Sequence, residues 1–189
     1  MPRRHRELWY ALAAIVVVTA VYFLAYSQAG TFPKASGLVG HSIGVVGFVL
    51  MLMTETLYSI RKRLTDARWG FVASWLRFHI VTGLVGPYMV LLHTSMRFNG
   101  LAGVAMLLTV VTVASGVVGR YVFTTVPRFV GPTGLTAGTA EVDQMATRLA
   151  TQRRGLATWY AVHVPLTWVL FAVALVHAGA ALFYATLQR

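Results

Sequence analysis

Five long apolar runs divide this chain, at about 8–26, 38–60, 71–96, 101–123 and 158–184. Each holds the roughly 20 residues that an α-helix needs to cross the hydrocarbon of a bilayer. The third and fifth are longer than the minimum, which tilt accommodates. The expected fold class is therefore all-α: an integral membrane bundle of five transmembrane helices in one domain covering 1–189. Composition agrees, since only 11% of residues are charged, against about 25% in an ordinary soluble domain. The N-terminal run follows a basic start and ends near the cleavage-like triplet Ser27-Gln28-Ala29. Secretory signals carry a shorter apolar core of about 7–15 residues, so this run reads as an uncleaved first span.

The net charge of +11 is not spread as a nucleic-acid binder would spread it. Arg3, Arg4 and Arg6 precede span one, Arg61, Lys62, Arg63 and Arg68 lie between spans two and three, and Arg128, Arg148, Arg153 and Arg154 lie between spans four and five. The opposite ends have only Lys34, Arg97 and Arg189. Under the positive-inside rule this places the N-terminus in the cytoplasm and the C-terminus outside, with spans one, three and five running outward. The long connection 124–157 is expected to be a cytoplasmic loop. Pro127, Pro132 and several glycines break its first part. Its second part, TAEVDQMATRLATQRR, reads as a short helix with Glu141 and Asp143 at its start and Arg153 and Arg154 at its end. Val142, Met145 and Leu149 fall on one face, which suits the membrane surface.

The chain has no cysteine. This excludes disulfides, thiolate-held iron–sulfur clusters, thiolate-ligated haem and covalent c-type haem attachment within the chain. A metal would need nitrogen or oxygen ligands, and histidine is the obvious donor.

Two apolar runs each contain a pair of histidines at one interval. Residues 78–93, FHIVTGLVGPYMVLLH, hold His79 and His93; residues 163–177, HVPLTWVLFAVALVH, hold His163 and His177. Fourteen residues of helix turn through about 40° less than four full turns and rise about 21 Å. Each pair therefore shares a face of its helix, one member in each leaflet. Spans three and five are expected to be parallel, so His79 should match His163 in depth and His93 should match His177. Facing helices would create two levels, each with two imidazoles. Structural zinc wants four ligands, usually with cysteine among them; two imidazoles suit a six-coordinate haem, whose porphyrin supplies four nitrogens. Two haem b groups are the expected cofactors. A proton or ion pathway, or histidines that merely bridge helices, are the alternatives.

The paired H-x13-H motif on two helices resembles the dihaem membrane b-type cytochromes, both cytochrome b of quinol-oxidising complexes and the membrane domain of ferric reductases and NADPH oxidases. The likeness covers roughly residues 38–185, and SGVVGRYVF (115–123) and ETLYSIRKR (55–63) look like parts of small bacterial cytochromes of this type. It implies four helices around two stacked haems, with His79 and His163 on the inner haem and His93 and His177 on the outer one. It also implies electron transfer across a bacterial cytoplasmic membrane. The chain departs from these families in having five spans, no flavin or nicotinamide domain and no recognisable quinone-site motif. Electrons would then be exchanged with quinone, a redox partner protein or a larger respiratory complex.

Other residues take secondary roles. Arg120 and Arg77 near the inner haem, and Arg97 near the outer one, could pair with propionates or anchor the helices by snorkelling. His41 opens span two and could meet a propionate, line a quinone pocket, replace a ligand or face water. Glu55 could take a proton from a quinol, pair with Arg61 or Arg63, or cap. His5 reads as solvated tail. Glycines 40, 44, 47, 83, 86, 103, 116 and 119 let either a macrocycle or a neighbouring helix come close, and the thirteen-residue spacing of Gly103 and Gly116 favours haem contact by span four. Two rival functions stand beside the electron carrier: a haem-free membrane anchor or assembly subunit, and a small ferric or superoxide-handling oxidoreductase.

Overall fold

A computed structural model describes residues 6–31, 33–64, 70–125 and 139–187. It is all-helical: α1 is Arg6–Ala29, α2 Leu38–Arg63, α3 Val72–His93, α4 Gly100–Thr125 and α5 Thr139–Leu187. All five are long and apolar enough to cross a membrane. Large apolar side chains stand exposed along them, among them Val17 and Leu24 on α1 and Val176, Leu182 and Phe183 on α5. Water would not tolerate so much bare hydrocarbon, whereas acyl chains solvate it. The chain is a multi-pass membrane protein in contact with lipid.

The chain divides into two compact units, residues 1–106 and 107–189. In the first, α3 is central, with α2 and α1 packed on it. Ala11, Val85 and Met89 form the core, with Ala14, Ile15, Val18, Ile43, Leu50, Val81 and Leu84 around them. Small residues set how closely α2 and α3 approach. A Cβ on Gly47 would lie 2.8 Å from the Gly86 carbonyl oxygen, and one on Gly86 would lie 2.9 Å from that of Gly47. Apolar surface gains little from leaving lipid, so close backbone packing and interhelical hydrogen bonds carry the association. Thr54 donates to the Thr82 hydroxyl at 2.6 Å while Thr82 donates to the Phe78 carbonyl at 2.8 Å. The hydroxyls of Thr19 and Tyr88 pair at 2.6 Å.

Arg61, expected as a positive-inside anchor, is buried. Its Nε and Nη2 donate to the Gly70 carbonyl at 3.0 and 2.7 Å and its Nη1 to the Leu64 carbonyl at 2.6 Å. The guanidinium thus ties the end of α2 to Gly70, two residues ahead of α3. At the far end, α3 stops at His93, short of the expected Met96. Ser95 and Met96 adopt positive φ (48° and 60°), and the Ser95 hydroxyl donates to the Pro33 carbonyl at 2.7 Å.

The second unit holds α4 from Leu107 onward and α5. The expected break near residue 157 does not occur: α5 runs unbroken for 49 residues. The segment read as a short surface helix is the start of that same helix. Gly155 is the weakest helix former near the junction, and a single glycine costs only about 1 kcal/mol against alanine. Pro165 also lies within α5; a membrane helix tolerates one.

Candidate functional site

The two histidines of α3 are held alike. His79 Nδ1 lies 2.9 Å from the Thr54 carbonyl oxygen, and His93 Nδ1 lies 2.8 Å from that of Gly40. Both acceptors are main-chain atoms of α2. A carbonyl can only accept, so Nδ1 is the donating nitrogen in each ring. Tyr58, one turn beyond Thr54, sets its ring 5.1 Å from that of His79 at 51°. At His93 the residue one turn beyond the acceptor is Gly44, and a Cβ there would come within 2.6 Å of the imidazole Cγ and Nδ1. An outside donor reaches a carbonyl already bonded within a helix only from the side, and any side chain at Gly44 would fill that approach. Both rings are partly buried.

In the second unit His163 is held by side chains. Its Nδ1 lies 3.2 Å from the Ser115 hydroxyl oxygen. Its ring stacks on Trp159, four residues earlier, with centroids 4.9 Å apart and planes at 20°. Trp159 donates its indole N–H to the Ser115 carbonyl at 2.7 Å. That indole lies over Gly119, where a Cβ would overlap the ring. Gly116 meets His163 at an ordinary 3.6 Å. His177 is partly buried on the same continuous helix.

The remaining candidates are distributed less tightly. Arg77 is exposed and folds back on its own helix, with Nη2 donating to the Ser74 hydroxyl at 3.1 Å and Nε to the Ala73 carbonyl at 3.4 Å. That is the snorkelling posture, away from the α2-facing side that holds His79. Arg97 and His41 are exposed, and Arg120 is partly buried on α4. Glu55 accepts a 3.4 Å hydrogen bond from Ser59, and Arg61 spends the three donor contacts described above on carbonyls, not on Glu55. Gly103 serves the preceding turn, since a Cβ there would reach the Phe98 carbonyl at 2.5 Å. His5, Arg68, Arg128 and the broken part of the connection around Pro127 and Pro132 lie outside the described residues.

Thr54, Tyr58, Ser115 and Trp159 were not singled out from the sequence. For Trp159 a signal existed, because it lies one turn before His163 on the same face. Among the described residues no three His, Asp or Glu side chains gather to hold a bare metal ion. Comparison with protein-family models, curated proteins and solved structures finds no match to the chain.

Proposed function

We propose that the chain is a membrane b-type cytochrome whose His79, His93, His163 and His177 furnish the axial nitrogens of two haems. The observation that carries the reading is the main-chain grip on His79 and His93. Metal-ligating histidines usually donate their second ring N–H to a carbonyl, a carboxylate or water, which fixes the tautomer and ring orientation. Here both Nδ1 positions are committed to main-chain carbonyls, the arrangement in which Nε2 is the nitrogen that would ligate.

Bound haem iron would supply one-electron chemistry, and two imidazoles per iron would leave no coordination position for substrate. The chain's own contribution is to fix the imidazoles, hold them in the protonation state a ligand needs, and surround them with apolar side chains that exclude water. Quinone, or a redox protein in a larger complex, would exchange the electrons. The arginine and lysine distribution favours an N-terminus on the cytoplasmic side, and the resemblance to small bacterial cytochromes favours a bacterial cytoplasmic membrane.

A haem-free anchor or assembly subunit is the second reading. The same Nδ1 bonds that suit a ligand also tie α3 to α2, which such a subunit would need. A reduced-minus-oxidised spectrum with a pyridine haemochrome assay on the purified chain separates the two. The cytochrome gives b-type bands at about two haems per chain; a chain expressed with ample haem that shows no such bands is an anchor.

A further inference from the structure

The two units hold their histidines by different means, and this bears on how each imidazole can be tuned. In the first unit the acceptors are the main-chain carbonyls of Thr54 and Gly40, 2.9 and 2.8 Å from Nδ1. In the second, the Nδ1 partner of His163 is a hydroxyl at 3.2 Å, and the ring is further braced by the stacked indole of Trp159. Ser115 is the hinge of this arrangement. Its carbonyl takes the Trp159 N–H at 2.7 Å and its hydroxyl faces His163 Nδ1. Gly119, one turn on, leaves the space in which the indole lies.

We propose that Ser115 and Trp159 are positioning residues for His163, and that the Ser115 hydroxyl sets how strongly this imidazole donates electrons. The inference rests on the cytochrome reading for its redox consequence, but its structural half stands without it. An imidazole whose Nε2 ligates a metal carries its proton on Nδ1, so Ser115 Oγ must then accept. A better acceptor makes the ring more basic and a stronger donor. A hydroxyl at 3.2 Å is a weaker acceptor than a carbonyl at 2.8–2.9 Å. His163 is therefore a weaker donor than His79 or His93, and losing its Nδ1 acceptor raises the potential of the haem it serves. Because its partner is a side chain, one substitution can alter it.

The test uses the full chain in nanodiscs, labelled with 15N-histidine, with the His163 signals identified by their loss in His163→Gln. Ser115→Ala removes the hydroxyl but keeps the carbonyl that holds Trp159, and Ser115→Thr restores a hydroxyl. The expected result is a shift of the His163 Nδ1 resonance in Ser115→Ala, its return in Ser115→Thr, and unmoved His79 and His93 resonances. In the haem-loaded protein the midpoint potential of one haem rises in Ser115→Ala while the other stays. An unmoved His163 Nδ1 signal, or equal movement of both potentials, overturns the proposal. If the purified chain holds no haem, the cytochrome reading fails, and the resonances of the haem-free protein still decide the Ser115 assignment.

Discussion

Unit one and unit two solve one problem with the same local device and put different rings in it. In both, an aromatic N–H donates to the carbonyl of a helix residue, and a glycine four positions later clears the approach. His93 uses Gly40 and Gly44; Trp159 uses Ser115 and Gly119. In the first unit the histidine is itself the seated ring. In the second the seated ring is tryptophan, and the histidine leans on it. A main-chain acceptor is beyond the reach of substitution, so His93 is fixed by the helix itself. His163 is held in part by two side chains, Ser115 and Trp159, and is open to adjustment by substitution.

The largest effect that sharpens this contrast is expected from removing a seated histidine. His93→Ala abolishes one of the two b-type signals in the reduced-minus-oxidised spectrum, and retention of both would detach His93 from the haem. Next come the glycines. Gly44→Ala drives a methyl into the His93 ring and Gly119→Ala drives one into the Trp159 ring. Overpacking of this kind costs about 1–3 kcal/mol, read as a lowered unfolding temperature in detergent. Gly44→Ala should also weaken the His93 haem signal, whereas Gly119→Ala should perturb His163 through Trp159 alone. Equal spectral effects would break the contrast. Trp159→Phe keeps a ring against His163 but loses the indole N–H, and a net cost of about 0.5–1.5 kcal/mol is expected from a hydrogen bond of this type. The smallest effect is Thr82→Val, which takes away the hydroxyl meeting Thr54. Interhelical hydrogen bonds in membranes average about 0.6 kcal/mol, so a small drop in thermal stability with an intact spectrum is expected.

Much of this architecture was legible because lipid imposes simple rules. Apolar length located all five helices to within a few residues at most ends. The fourteen-residue histidine interval falls on single continuous helices, α3 and α5, as the pattern predicts. What holds those histidines was not legible. The carbonyls of Thr54 and Gly40 leave no trace in residue identity, since every residue carries one. The glycine pattern was visible but not its assignment: Gly47 and Gly86 serve helix crossing, Gly44 serves a histidine, Gly119 a tryptophan and Gly103 a turn. Met96 looked like a continuation of span three because it is apolar, yet the backbone had already turned at Ser95. The charged stretch before span five looked like a separate helix because its polarity changes. Helix continuity depends on backbone breakers, and residues 139–158 contain none stronger than Gly155.

That continuity turns α5 into a lever. Its 49 residues measure about 74 Å end to end, more than twice the roughly 30 Å of hydrocarbon. Trp159 and His163 sit some way along the shaft, about 30 Å from its Thr139 tip. Pivoting the shaft by about 10° at the level of these rings would carry that tip through about 5 Å, and twisting it would turn both rings together. Whatever grips the chain near Thr139 therefore has mechanical leverage on the His163 imidazole.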